Sequence, residues 1–312
     1  MDKVFLILGL ILLSNFSFAQ ITTTQVAEKK EEISLTTYDG SMNFLGNDVY
    51  KYIEQNLYLK GVSKNLRKYG YSGFTLDYKK RVNEPYKSIS GIHSEYDELV
   101  GKYFKVLDVH KHPEADESEY FYGKTYYLEL EEKDSGDIVY YEYDSQFEHS
   151  FPFIVVSFFE KTKKNVIREQ FIFSNKILKS KINIETGRPI AITPAEIWTC
   201  IDLTVEEKYY NLALVVKNSL GEKIAIAHMY AIGKYSNGRS YTLAQAQTYK
   251  QKFGEENWLI ILENKVVIGF TEEMVRLAWG EPKKINRASY GDQWVYDEQN
   301  LYFENGKLKS FN

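Results

Sequence analysis

The sequence predicts an α+β protein, mostly β, in which duplicated antiparallel β-modules are followed by a small unit of helix plus three-stranded meander. Three observations predict this. Tyrosine is abundant at 26 residues and, with Phe, dominates the middle of the chain, where aromatic and β-branched side chains favour a pleated, half-buried surface. A hairpin that opens on Tyr-Tyr occurs twice. From Tyr241 onward the apolar period changes from 2 to 3.6.

At the N-terminus, Lys3 precedes an apolar run from Val4 to Leu13, and the small residues Ser17 and Ala19 stand at the −3 and −1 positions of a cleavage site. Residues 1–19 read as a secretory signal peptide. The apolar run is about half of the roughly 20 residues a membrane-spanning helix needs, which favours cleavage over retention as an anchor. The next residue is Gln20 rather than a lipid-accepting cysteine. The mature chain is therefore expected to be exported without a lipid, to the periplasm or beyond the cell. Residues 20–41 are largely polar and read as a flexible leader. A first β-rich region is placed at 42–187 and a second β-module at 188–240, divided by Arg188-Pro189 and Thr193-Pro194. The C-terminal domain is placed at 241–312.

Within the first region, Asp48 to Leu59 mixes a helical turn with a strand, and Gly70 to Gly73 signals a turn before Phe74. The hairpins are Tyr126–Tyr143 and Tyr209–His228. Each runs through an alternating strand, turns at Lys133–Asp137 or Lys217–Glu222, and returns as a second strand. A further strand precedes each, at Tyr103–Asp108 and at Ile197–Asp202. This reads as a duplicated module that resembles a small barrel of the SH3 type; two ordinary hairpins alike by chance are the alternative. Between the copies, Phe151 to Val156 is apolar on both faces, which suits a central strand with Pro152 at its start.

In the last domain, Thr242 is placed to cap a helix with Leu243, Ala246, Tyr249 and Phe253 on one stripe, ended by Gly254. Trp258, Ile261 and Leu262 predict a second short helix. Thr271 is a good N-cap, Glu272 and Glu273 suit the positive end of a helix dipole, and Met274, Val275 and Ala278 form its buried side. Gly280 suits the left-handed position after the helix, and Pro282 prevents continuation. Strands are expected around Trp294–Tyr296, Leu301–Phe303 and Lys307–Ser310, with a hairpin turn at Asn305-Gly306. Trp279 and Trp294 are expected to pack a core with Tyr302.

This C-terminal stretch resembles the SmpA/OmlA (BamE-like) outer-membrane assembly lipoproteins, whose pattern looks like Gly-Met-Thr, a short helix, then Gly-x-Pro. Gly269-Phe270-Thr271 and Gly280-Glu281-Pro282 match it. The resemblance covers 265–312 well and implies a binding or scaffolding module, with no catalytic residues to carry over. The chain departs from that family in lacking a lipid-accepting cysteine and in its much longer preceding region.

The chemistry-bearing residues are sparse. A net charge of −4 with interspersed signs offers no basic face for nucleic acid. Cys200 is the single cysteine, so no internal disulfide forms, and its strand pattern beside Trp198 favours burial over service as a nucleophile to His149 or His228. His110 and His112, followed by Glu114, Asp116, Glu117 and Glu119, could approach a metal, although Pro113 favours a solvated surface loop. No Gly-x-Ser-x-Gly, Walker or G-x-G-x-x-G pattern occurs. The expectation is a non-enzymatic binding or scaffolding protein of the bacterial envelope, with an envelope protein or polymer as partner. Neither a cofactor, a metal, a catalytic residue nor a membrane span of the mature chain is expected. His149, Trp294, Tyr296 and Tyr302 are the candidate binding residues. The alternative is a hydrolase acting on envelope polysaccharide or peptide through an unrecognised acidic site.

Overall fold

A computed structural model describes residues 37–80, 84–112, 115, 126–289 and 291–312. The expected signal peptide and most of the leader, together with most of the acidic loop that follows His112, lie outside the described residues. The described chain is mostly β, with three antiparallel sheets and several helices. Among the described residues, no helix is long and apolar enough to cross a membrane.

The first sheet contains β1 (Asn56–Leu59), β2 (Phe74–Thr75), β3 (Tyr103–Lys111), β4 (Tyr126–Glu132), β5 (Ile138–Tyr143) and β6 (Phe153–Val155), in the order β2-β5-β4-β3-β1-β6. Helix α1 (Tyr96–Leu99) precedes β3 and helix α2 (Val156–Val166) follows β6. The second sheet contains β7 (Gln170–Phe173), β8 (Ile197–Val205), β9 (Leu212–Lys217), β10 (Lys223–Ala227) and β11 (Ser240–Thr242), in the order β10-β9-β8-β7-β11. Helices α3 (Asn175–Leu178) and α4 (His228–Ala231) lie in its connections.

With β2 set aside, the two sheets have one strand order. β3 and β8 are both nine residues long and both carry a bulge, between Val106 and Asp108 and between Cys200 and Asp202. A bulge bends a strand, which lets one long strand pair with different neighbours along its length. At each bulge an aspartate accepts the N–H of the next residue: Asp108 from Val109 at 2.7 Å, Asp202 from Leu203 at 2.8 Å. Two residues before β1 and β7 stand Glu54 and Arg168, non-glycine residues with φ of 67° and 72°. Their N–H groups donate to the carbonyls of Val106 and Cys200, at 2.9 and 2.8 Å. The hairpin similarity seen in the sequence thus extends to strand order, bulge and entry turn.

Two sequence expectations are corrected here. Phe151–Val156 is not a central strand: β6 spans only Phe153–Val155, pairs with β1 alone, and gives way at Val156 to the eleven-residue α2. Its three residues are buried because helix and module core cover the edge. Second, β7 lies before residue 188 yet pairs with both β8 and β11, so the second sheet draws strands from both sides of that point.

The first core is aromatic, with Tyr52, Phe74, Phe104, Tyr141, Tyr143 and Phe153 all buried. Several of the tyrosine hydroxyls lie inside and donate to carbonyls. Tyr52 bonds Asn43 at 2.9 Å, Tyr141 bonds Ser150 at 2.8 Å, and Tyr143 bonds Gly46 at 2.9 Å. Each bond satisfies a buried hydroxyl that would otherwise carry a desolvation cost. At the end of β4, the fully buried Glu132 carboxylate receives Lys87 at 2.5 Å, Tyr86 at 2.8 Å, Ser135 at 3.1 Å and Lys102 at 3.2 Å.

The third sheet runs β12 (Lys284–Ala288), β13 (Gly291–Val295), β14 (Asn300–Glu304), β15 (Lys307–Phe311) in sequence order. It has four strands rather than the expected three, because β12 is an exposed edge strand without an apolar alternation. Helices α5 (Leu243–Phe253), α6 (Glu255–Leu262) and α7 (Glu272–Trp279) accompany it. Thr242 caps α5 in a capping box with Gln245. Thr271 caps α7, its hydroxyl accepting the Met274 N–H at 3.3 Å, and Gly280 ends α7 with φ 89° and ψ −169°. Trp294, Leu301, Phe303 and Leu308 meet Trp258, Ile261, Met274 and Val275 in a core that also takes in Ile172 and Tyr241 from the second sheet. Tyr302 is corrected out of that core. Strand alternation turns its neighbours Leu301 and Phe303 inward, and Phe303 packs on Trp294 at 4.6 Å.

Candidate functional site

The described residues bring a cleft together where the first two sheets meet. Lys60 follows β1 and is held by its N–H bond to the Pro152 carbonyl at 3.0 Å. Ile154 stands in the middle of β6, and Phe158 projects from the first turn of α2. Opposite them are Asn211 and Leu212 at the start of β9 and His228 and Met229 at the start of α4. Glu148 lies on the exposed 3-10 turn before β6, and Met42, Asn43 and Phe44 close one side. These residues line a half-open cavity of about 350 Å³. Ile154 also lines a second hollow of about 330 Å³, walled by Tyr58, Tyr103, Val156, Phe159 and Leu203.

Tyr210 joins the two modules beside this cleft. It occupies the turn between β8 and β9 with φ 54°. Its ring lies where a Cβ on Gly61 would come within 2.2 Å, its hydroxyl accepts from Arg67 at 2.7 Å, and the same guanidinium sits over the Tyr96 ring at 5.2 Å. Asn211 and Leu212 are the next residues along the chain.

Burial lowers the Lys60 pKa from its ordinary value, while the field of Glu148 raises it. No described residue forms an ion pair or side-chain hydrogen bond with the Lys60 amine. Burial also lowers the His228 pKa, so its imidazole is neutral at pH 7. The arrangement can receive an apolar body and offer it the Lys60 amine, a neutral imidazole and the Asn211 amide, beside the Glu148 carboxylate, while the Asn43 amide is held by the Phe153 carbonyl and the Val155 N–H.

The four candidate residues from the sequence fall at three separate places. His149 is exposed on the turn beside Glu148, its ring 5.4 Å from Phe147, and does not line the cleft. Trp294 is fully buried with the Arg276 guanidinium 4.2 Å over its ring. Tyr296 is half-buried, donates to the Gly280 carbonyl at 2.8 Å and meets Trp279 edge-on at 5.4 Å. Tyr302 lies on the outer face of the third sheet, where it accepts from Gln293 at 3.3 Å and lines a hollow of about 410 Å³.

Cys200 is buried in the second core, donates to the Asp202 carbonyl at 3.4 Å, and has its thiol pKa pushed up to about 11 by burial. His110 packs flat on Tyr78 at 4.9 Å and joins Glu129 at 2.5 Å. Among the described residues, no three His, Cys, Asp or Glu side chains gather as a metal site. Lys60 was not singled out from the sequence, and His228 was named there only as a conceivable base for Cys200. Neither carries a local signal: one ends a strand, the other begins a helical turn, and only the tertiary fold joins them.

Comparison with family models, with curated proteins and with solved structures finds no match to this chain.

Proposed function

We propose that the chain is an exported, non-enzymatic binding or scaffolding protein of the bacterial envelope. In this reading two SH3-like barrels and a BamE-like C-terminal domain hold an envelope protein or polymer. The barrel assignment is supported by the shared strand order, in which β1 or β7 lies between the bulged strand and the last one, with a short helical turn in the connection that leads to that last strand. The C-terminal assignment is supported by the capped α7, its glycine end and the meander that follows.

The observation that carries the binding reading is the half-open, apolar-walled cleft between the two like modules, within the size range of ligand sites. The test is capture from the native envelope fraction with residues 20–312 as bait, beside a Met229→Trp variant that fills the cleft. A partner held by the first bait and lost by the second, at equal melting temperature, supports the reading. Equal capture by both baits removes the cleft from it.

A second reading, the hydrolase, is favoured by one feature: an amine and an imidazole, each with its pKa lowered by burial, share the cleft with a carboxylate. Release of products from envelope peptide or polysaccharide, abolished by His228→Gln, would establish it over simple capture.

A further inference from the structure

We infer that the inter-module cleft takes the carboxylate end of an apolar molecule, with Lys60 as its cationic contact. This deepens the reading of the cleft as a binding site and rests on it. Phe44, Ile154, Phe158 and Leu212 give the cavity apolar walls, so the body of the occupant is apolar. Among the described residues, Lys60 is the one cationic side chain lining it.

The Lys60 amine is left without a direct contact among the described residues, and a partly desolvated ammonium gains most from a contact anion. Glu148 acts on it through space but forms no ion pair with it. That neighbouring negative charge also selects among anions. A dianion such as a phosphate monoester would face one ammonium and one opposing carboxylate, whereas a monoanionic carboxylate is matched by a single ammonium. The neutral His228 imidazole and the Asn211 amide are placed to bond its oxygens, the Asn43 amide being already engaged by Phe153 and Val155. A cavity of about 350 Å³ suits a short apolar chain or one to two apolar side chains.

The test uses residues 20–312 in titration calorimetry with octanoate, 1-octanol, and N-acetyl-Ala-Leu-Leu as its free acid and as its amide. Each carboxylate is expected to bind about 10-fold or more tightly than its neutral twin, the worth of one charged hydrogen bond. Lys60→Met should erase that preference and leave the neutral ligands bound, whereas Lys60→Arg should keep it. Because Lys60 has no ion pair or side-chain hydrogen bond among the described residues, Lys60→Met is not expected to lower the melting temperature.

The stronger of the two carboxylates identifies the source, a free acid or a peptide chain end. Equal binding of octanoate and octanol, abolished by Met229→Trp, would overturn the carboxylate assignment while the cleft stands as a binding site. Binding of none of the four ligands, or binding that neither variant alters, would overturn both.

Discussion

Glu132 offers the sharpest check on how the first module is held together. Its carboxylate is fully buried at the end of β4, between Lys87 and Lys102, which are 24% and 29% exposed. Burial by itself would raise the carboxyl pKa. The bonds from Lys87, Tyr86, Lys102 and Ser135 outweigh that and hold it at about 2, against an ordinary 4.5. A folded-state pKa below the unfolded one contributes stability that is complete above the unfolded value and is lost as pH falls toward the folded one. The difference is worth roughly 3 kcal/mol at neutral pH, or about 2 kcal/mol after allowing for water at the two lysines.

Glu132→Gln keeps the shape and removes the charge. The expected result is a loss of about 2 kcal/mol at pH 7, shrinking to less than half of that by pH 3 as the wild-type chain loses its advantage. Urea unfolding followed by near-ultraviolet circular dichroism reads it, because this core is built of tyrosines and the first tryptophan is Trp198. An equal deficit at pH 7 and pH 3 would refute the electrostatic account and leave only a packing effect.

Two further outcomes are expected. Gly280 has φ 89° and ψ −169°, a region nearly closed to other residues, and a Cβ there would meet nothing within 4 Å. Gly280→Ala and Gly280→Val should therefore both cost about 1–3 kcal/mol through the backbone alone, and an unchanged melting temperature in either would remove that reasoning. The Cys200 thiol, with its pKa raised to about 11 by burial, should resist iodoacetamide at pH 8 in the folded chain and react once urea is added. Rapid alkylation of the native protein would contradict its place in the core.

What could be read from the sequence was whatever depends on neighbours along the chain. Thr242 with Gln245, and Thr271 with Gly280, mark helix ends by chemistry that is complete within a dozen residues. The alternation in β4 and β5 was equally plain. Helix α2 was hidden because Phe158 and Phe159 prolong the apolar run of β6, and nothing local says where an extended run becomes helical. Tyr302 was misplaced for a related reason. In Leu-Tyr-Phe all three residues are apolar enough for a core, and only the register decides that Leu301 and Phe303 face inward. The cleft lay further out of reach, since Lys60, Glu148, Asn211 and His228 are distant in sequence and have no pattern in common.

The two module junctions follow one physical rule, and it has a consequence for the cleft. Tyr210 and Asn264 are non-glycine residues at φ 54° and 58°, a conformation uncommon for non-glycine residues, which Asn adopts readily past a helix end and which a bulky Tyr keeps only where surrounding contacts enforce it. Each docks just beyond the first strand of the preceding module. Tyr210 lies against Gly61 after β1, and the Asn264 side chain accepts the Lys176 N–H at 2.5 Å after β7. Asn264 also donates to the Ala278 carbonyl at 3.0 Å, and its own carbonyl accepts from Trp279 at 3.0 Å. Tyr210 depends instead on the space that Gly61 leaves. Gly61→Ala would drive the ring out, lose the Arg67 bond, and shift Asn211 and Leu212, which line the cleft. The expected result is faster nitration of Tyr210 together with weaker octanoate binding, although Gly61 itself does not line the cavity. If nitration rises while affinity stays unchanged, the cleft is formed by the first module alone and Tyr210 serves only to hold the modules together.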